Sequence, residues 1–458
     1  MQEHTQLTQK RINDDLLHSV FTVPRWWPGS TLILLLIFIA GACAFGYMIN
    51  KGIGVTGLNR PAYWGVFIVN FVFWIGISHA GIMVSAILRL TQAEWRRPIT
   101  RAAEVLTVFS LTAALMAAPL THVGRQWRVL YWVFPYDFAR GIWPNVRSPF
   151  VWDPSAVMTY LIASTLFVII CLIPDLAVVR DRSKGLRKKI YGVLCLGWRG
   201  TPRQWKLQTV AGILLSALVL PVFASVHSIV SWDFAVQIGP EAWHSTIFAP
   251  YFIIGAIHSG VSAVATLMVV MVWAWGYRTY ITPDHLDAIA RLLIVVAVTW
   301  FFFFFLEWIY ALYTLEFGEL AMRELQVFSW PYGALFIVFL FTAFLIPVPM
   351  WLFRNIRRSY LWMFITTILV NIGMWLERFL IIVPGVIRRG ELMFNWGTYH
   401  PSIIEILMVL ATFGWMMFGL LVFSKIFPLV PLFDVKEGMV GRDEIKIGRR
   451  IIPASIRE

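Results

Sequence analysis

Cysteine is nearly missing from this chain of 458 residues, which has only Cys43, Cys171 and Cys195. They stand too far apart for a CxxC, CxxCH or cysteine-cluster pattern, so neither an attached haem nor an iron–sulfur cluster is expected within this polypeptide. Charge is scarce too: 14% of residues are charged and 59% are hydrophobic. An ordinary soluble domain carries about 25% charged residues, so this composition excludes the soluble globular classes and points to a polytopic membrane protein. Residues 1–29 are too long and too mixed for a signal n-region, and Ala40-Gly41-Ala42-Cys43 is only faintly like a processing site. An uncleaved first helix is therefore expected.

Apolar runs long enough to span a bilayer fall near 30–50, 63–90, 101–122, 155–174, 207–230, 248–276, 289–313, 332–353, 360–383 and 401–427. A span needs roughly 17 to 25 such residues, so these runs predict an all-α fold of ten transmembrane helices. The net charge of +13 would suggest nucleic acid in a soluble protein. Its placement argues otherwise: with both termini inside, the inner segments hold 28 Lys and Arg and the outer loops 9, with Arg378 inside a helix. That asymmetry predicts cytoplasmic termini, with Arg187-Lys188-Lys189 facing anionic lipid. No nucleic-acid partner is implied.

Ile75-Gly76-Ile77-Ser78-His79-Ala80-Gly81 returns 179 residues later as Ile254-Gly255-Ala256-Ile257-His258-Ser259-Gly260. An ionisable side chain in hydrocarbon costs roughly 2.5 to 3.5 kcal/mol on insertion scales, so a repeated histidine suggests a selected role. The other reading is duplicated small-residue packing around neutral, hydrogen-bonded histidines. Four spans separate the two copies, which makes the duplication parallel. It divides the chain into four-helix units at 63–230 and 248–383, flanking helices at 30–50 and 401–427, and tails at 1–29 and 428–458.

His122 lies 21 residues after Arg101, and His227 lies 21 after Lys206. At a helical rise of ~1.5 Å that is about 31 Å, which predicts that both histidines reach the outer boundary, with His79 deeper. Asp153 opens the fourth helix, either as a proton partner or as an N-cap before Pro154. His122, before Gly124, can equally hydrogen-bond helix-terminal carbonyls, and Arg125 can equally anchor at headgroups. Histidine beside a carboxylate suits a reaction that releases protons, such as quinol oxidation, whose ring substrate needs an apolar pocket with a few polar groups. Two outer segments, 121–153 and 231–247, are long enough to be functional and carry Tyr136, Trp152, Asp233 and His244 among others. In the second unit Glu307, Glu377 and Glu405 sit near outer helix ends, while Glu104, Asp287 and Arg291 sit near inner ends. These are proton-relay candidates with His258 as midpoint, or else paired structural charges such as Glu377 with Arg378 and Arg101 with Glu104.

Phe73-Trp74-Ile75-Gly76-Ile77-Ser78-His79-Ala80-Gly81, Thr121-His122-Val123-Gly124-Arg125, Val151-Trp152-Asp153 and Val226-His227-Ser228-Ile229-Val230-Ser231-Trp232-Asp233-Phe234 together resemble the NrfD-like, or polysulfide-reductase membrane-subunit, family. Ile173-Pro174-Asp175-Leu176, Leu196-Gly197-Trp198-Arg199-Gly200 and Trp243-His244-Ser245-Thr246-Ile247-Phe248 are similar, within it, to the quinol-oxidising membrane subunit of bacterial alternative complex III. The resemblance implies a site for menaquinol or ubiquinol on the outer side of the first unit. His79, His122 and Asp153 would contact the quinol or accept its protons, supported by Arg125, His227 and Asp233, with Tyr136 or Trp152 lining. It also implies an iron–sulfur subunit on the outer face, c-type cytochrome subunits, a second homologous membrane subunit, and coupling to proton movement. Three other readings stay open: an anchor for a molybdenum-type reductase, a dihaem cytochrome using His79 and His258 or His122 and His227, and a secondary transporter. The last requires interrupted helices, for which Pro221 and Pro250 are the hints.

Overall fold

The computed structural model describes residues 8–59, 62–122, 141, 151–235, 240–387, 398–440, 444–447 and 450–453. Among them ten helical segments are long and apolar enough to cross a membrane. They are α2 (Trp26–Lys51), α3 (Val66–Leu90), α4 (Thr100–His122), α5 (Trp152–Arg182), α7 (Pro202–Asp233), α8 (Phe248–Trp275), α9 (Pro283–Thr314), the pair α11 (Tyr332–Leu340) and α12 (Pro347–Leu352), α14 (Tyr360–Ile387) and α15 (Ile403–Ile426). Shorter helices lie between or beyond them: α1 (Gln9–Phe21), α6 (Gly185–Leu194), α10 (Phe317–Phe328), α13 (Arg354–Arg357) and α16 (Leu432–Val440). Beyond α16, β1 (Glu444–Ile447) and β2 (Arg450–Pro453) form a small antiparallel ladder, the one sheet among the described residues. The all-α membrane architecture read from the sequence is the architecture observed.

Several helices run past the apolar windows that announced them. The fourth and fifth spans, expected at 155–174 and 207–230, occupy Trp152–Arg182 and Pro202–Asp233. A hydropathy window stops at the first charge, but a helix continues wherever that charge finds a partner, as Asp175 does in Arg101 at 2.9 Å. Local chemistry sets the ends: Thr201 accepts from the Gln204 amide at 3.3 Å, and Ser402 accepts from the Glu405 amide at 3.3 Å. Both open capping boxes that satisfy helix-terminal N–H groups. The interruption falls in the eighth span, and not at Pro221 or Pro250, the two hints read from the sequence. Ile346 N–H bonds the Phe341 carbonyl five residues back, a widened turn immediately before Pro347. A proline ring collides with the carbonyl four residues earlier, and one wide turn relieves it. Pro221 sits inside the unbroken α7, and Pro250 lies in the first turn of α8.

Both tails hold structure that hydropathy does not announce. Residues 1–29 and 428–458 were expected as cytoplasmic tails, yet each contributes a docked helix. Ile12, Leu16, Leu17 and Val20 of α1 are buried, and Lys425 donates to the Ser19 and Thr22 carbonyls at 2.7 and 2.9 Å. Asp434 of α16 meets Arg96 at 3.3 Å, and Glu437 meets Arg97 at 2.7 Å. These helices are too short and amphipathic for a span, so a hydropathy search passes over them. The outer segment 123–150, apart from Gly141, lies outside the described residues.

At the centre stands α3, with 94% of its apolar window buried against 17% for α2 on the rim. α3 packs on α4, α7, α8 and α14, and α8 packs in turn on α9 and α14. The α3–α8 seam is made by the repeated motif itself. A Cβ on Gly260 would lie 2.1 Å from the Ala80 Cβ, and one on Gly76 would lie 3.3 Å from the Ala256 Cβ. Small residues at this spacing let two helix backbones touch, which is how packing holds helices together where no water drives association.

Gly260→Val is expected to force the seam apart and cost about 1 to 3 kcal/mol of overpacking strain or more. Gly46→Val, on a lipid-facing site with nothing within 4 Å, is its control. Thermal unfolding in detergent should show a lower Tm for the first and an unchanged one for the second.

Candidate functional site

Two histidines meet between α3 and α7. His79, on α3, and His227, on α7, are buried and face each other with their Nδ1 atoms 3.0 Å apart. His227 was expected at the outer boundary. Instead α7 continues six residues to Asp233, which sets His227 about 9 Å inside the helix end at a rise of ~1.5 Å per residue. The other ring nitrogen of His227, Nε2, lies 3.1 Å from the Phe252 carbonyl of α8. A carbonyl can only accept, so Nε2 carries a proton, and in the neutral ring Nδ1 is then a lone pair. His79 must supply the proton between the rings from its own Nδ1, which leaves His79 Nε2 as an acceptor. Among the described residues that nitrogen has no hydrogen-bond partner.

The wall around the pair is aromatic and hydrogen-bonded. The Tyr160 ring of α5 stands edge-on to His79 at 4.2 Å between centroids, and Phe223 lies at 5.7 Å. Tyr160 donates to the Ser78 carbonyl at 2.8 Å, and Ser78 donates to the Thr107 carbonyl at 2.9 Å, fixing α3 against α4 and α5. Asp153 is fully buried seven residues before Tyr160, hence on the same face of α5 two turns nearer its N-terminal end. It is not an N-cap: Val151 holds that position, and Asp153 lies inside the first turn. Trp152 opens α5 half-exposed, and Asp233 closes α7 buried. His122 ends α4, but its side chain, together with Arg125 and Tyr136, lies outside the described residues.

Across the seam the same Phe252 carbonyl receives a second donor, Arg378 of α14, at 3.4 Å, and the guanidinium lies over the Phe252 ring at 4.3 Å. Arg378 pairs with Glu377 at 3.5 Å, both nearly inaccessible. Glu377 accepts from Trp300 Nε1 at 2.8 Å and from the Tyr251 hydroxyl. Next to it a cavity of about 30 Å³, enough for a water or two, is lined by Tyr251, Glu307, Arg323, Gln326 and Glu377 among others. Glu307 accepts from Ser245 at 2.5 Å and lies 3.6 Å from Arg323. His258 stands apart from this chain: its ring is 5.5 Å from that of Trp300, and neither nitrogen has a hydrogen-bond partner among the described residues.

The remaining relay candidates sit in ion pairs or caps. Glu104 lies 3.5 Å from Arg101 and accepts from Ser85 at 3.1 Å. Asp287 is held by Arg357 at 2.6 Å and Arg291 at 2.7 Å. Glu405 is the reciprocal half of the α15 capping box, accepting from the Ser402 and Gly57 amides at 2.8 and 2.7 Å and from Tyr399 at 2.8 Å. Burial, reinforced by the Glu405 carboxylate, pushes the Tyr399 phenol up, so it remains a donor.

Haem ligation does not fit His227, because both its ring nitrogens are already engaged. Among the described residues no cluster of three metal-ligating side chains occurs. Sequence reasoning missed Tyr160 and the Phe252 carbonyl. The seven-residue step from Asp153 to the sole tyrosine of the fourth span was an available signal for the first; a backbone carbonyl leaves none.

Residues 54–389 match the family described as polysulphide reductase, NrfD. A putative dimethyl sulfoxide reductase membrane subunit of Halobacterium salinarum is 27% identical over 61% of this chain, which spans only 58% of that protein. A selenate reductase subunit of Mesobacillus selenatarsenatis is 21% identical over 88% of this chain and 94% of its own length. An Hdr-like menaquinol oxidoreductase integral membrane subunit of Archaeoglobus fulgidus is 23% identical over 89% of this chain and 95% of its own length.

The ring-to-ring hydrogen bond makes a measurable forecast. His79→Ala, His227→Ala and the double variant should show a coupling of about 1 kcal/mol in detergent unfolding, the net worth of one hydrogen bond. Strict additivity would mean that the rings do not bond.

Proposed function

The chain belongs to the NrfD polysulphide reductase family, and from that premise we propose that it is the quinol-binding membrane subunit of a quinol-linked oxidoreductase complex. The observation that carries this reading is the unpartnered His79 Nε2, held as an acceptor by the hydrogen bonds of the pair. A quinol hydroxyl is the complementary donor. The menaquinol oxidoreductase subunit from Archaeoglobus, alignable over 89% of this chain, supports the same substrate class.

In this mechanism the quinol hydroxyl donates to His79 Nε2. Oxidation of the quinol to quinone releases two electrons and two protons. The electrons leave to a one-electron acceptor in a partner subunit on the outer face, which we assign to the iron–sulfur class, and onward to c-type haems as in alternative complex III. One proton moves to His79 Nε2, and the other leaves the second hydroxyl toward the Asp153 carboxylate. The ring becomes an imidazolium, and its Nδ1–H bond to His227 becomes charge-assisted, which stabilises the positive charge without water. Asp153 and Asp233, at the outer ends of α5 and α7, are the carboxylates that would pass protons outward. The 28 to 9 asymmetry of Lys and Arg supports cytoplasmic termini in an inner membrane. A second homologous membrane subunit and coupling to proton translocation through the second unit belong to the same reading.

A second reading is favoured by two relatives named as reductase subunits, the dimethyl sulfoxide and selenate proteins. In it the same site serves a molybdenum-type reductase and exchanges electrons with quinone in either direction.

Oxidation of menadiol by the native complex, with ferricyanide as acceptor, tests the site. His79→Ala and Asp153→Asn, each with assembly verified, should lose about 10²-fold or more, the usual contribution of a positioned base. Wild-type rates in both would move the site elsewhere. Co-purifying subunits separate the readings: iron–sulfur and c-type haem proteins support the first, a molybdenum subunit the second.

A further inference from the structure

The repeated glycine does different work in its two copies. Gly76 lies against Ala256, whereas a Cβ on Gly255 would lie 2.5 Å from the Arg378 guanidinium. The second glycine thus opens the space in which a buried cation of the second unit reaches the carbonyl that binds the first unit's histidine. One oxygen, that of Phe252, accepts from both His227 Nε2 and Arg378. From there the chain continues through the Arg378–Glu377 pair to Tyr251 and Trp300. An arginine in hydrocarbon surroundings is costly unless paired, and this one is paired with Glu377 and bound to the outer turns of α8.

We propose that Arg378 and Glu377 are positioning residues for the quinol site: they hold the Phe252 carbonyl on His227 and so dictate which nitrogen of His79 is left bare, and they register the charge when the histidine pair takes a proton. This rests on the quinol reading above. The carbonyl is fixed within α8, but without the guanidinium the outer turns of α8 lose this anchor on α14, the carbonyl can draw away from His227 with its helix, His227 can exchange tautomer, and the proton between the rings can reverse, leaving His79 Nε2 protonated and unable to accept. In the other direction, a positive charge arriving on the pair is felt by Arg378, which shares the oxygen, and loosens or tightens its contact with Glu377. Atoms and electrons balance as before, since no bond changes at Arg378 or Glu377; only hydrogen bonds are redistributed. Other titratable groups on the helices around the pair include Tyr160 on α5 and Tyr251 and His258 on α8, with Asp153 and Asp233 toward the far ends of α5 and α7 and Arg89, Arg101, Glu104 and Asp175 toward the opposite ends of their helices. Among the described contacts Arg378 is the charged side chain that shares a hydrogen-bond acceptor with the pair.

Two measurements on the intact complex test this. The first is steady-state menadiol oxidation. Arg378→Met should lower kcat about 10- to 100-fold, the usual effect of an outer partner, with KM little changed. Arg378→Lys, which keeps a donor and the charge, should recover a large part of it. Because Arg378→Met leaves Glu377 buried and unpaired, the double variant Glu377→Gln with Arg378→Met removes both charges. It should assemble and still show the low kcat. The second is the infrared difference spectrum between quinol- and quinone-loaded complex. The wild type should show a carboxylate signal that vanishes in Glu377→Gln and persists in Arg378→Lys. A wild-type kcat in the double variant, or a Glu377→Gln spectrum that superimposes on the wild type, overturns the proposal. Full turnover in His79→Ala would instead overturn the quinol reading itself, so the two failures are distinguishable.

Discussion

Close contact between α3 and α8 is the constraint on which the rest depends. Gly260 against Ala80 and Gly76 against Ala256 bring two backbones together in the middle of the bundle. That approach carries the Phe252 carbonyl to within 3.1 Å of His227, and His227 in turn faces His79 across 3.0 Å. In hydrocarbon a polar group that lacks a protein partner costs several kcal/mol, so each histidine, once buried, dictates where the next donor or acceptor must be. The chain of requirements runs from small residues to a helix seam, from the seam to a carbonyl, and from the carbonyl to a tautomer. The chemistry assigned to His79 Nε2 is the last link.

Polar groups in this bundle fall into two kinds by the same rule. Most are closed: Asp287 lies between Arg357 and Arg291, Glu405 caps its own helix, and Arg101 sits between Glu104 and Asp175. Each of these matches a charge with a charge or with N–H groups, and holds helix ends or inner faces together. His79 keeps one ring nitrogen and His258 both without a hydrogen-bond partner among the described residues, as do a few single atoms elsewhere such as Asn70 Oδ1 and Glu104 Oε2. An unmatched acceptor inside a membrane protein calls for something from outside the chain. What sets His79 apart is that the hydrogen bond to His227 fixes its bare nitrogen as an acceptor.

The ten spans were legible because each is an apolar run of the right length, and the repeated motif marked the central seam correctly as a place of small residues. The packing reading of that motif is what the geometry shows: its glycines pack, and its first histidine is hydrogen-bonded to a neighbouring helix. What stayed illegible has a physical cause in each case. The docked helices α1 and α16 are amphipathic and short, below what hydropathy detects. The extra turns of α5 and α7 carry charges whose partners lie far along the chain, such as Asp175 with Arg101. His227 was placed at the interface because the true end of α7, at Asp233, lies beyond the apolar window. The link through Phe252 is a backbone contact, which no residue type announces. Of the site residues chosen from sequence, His79 and His227 are brought together, Asp153 lies on the face that carries Tyr160, and His258, Glu307 and Glu377 lie in or beside the second unit's polar cluster.

The central claim is that His79 Nε2 accepts a hydrogen bond from a quinol. The most direct measurement is a density map of the intact complex with bound quinol, at a resolution that places the headgroup. The account predicts a ring oxygen within hydrogen-bond distance of His79 Nε2, about 2.7 to 3.2 Å, with the His79–His227 contact preserved. A headgroup bound elsewhere, with His79 Nε2 facing a protein donor from the segment between α4 and α5, would contradict it.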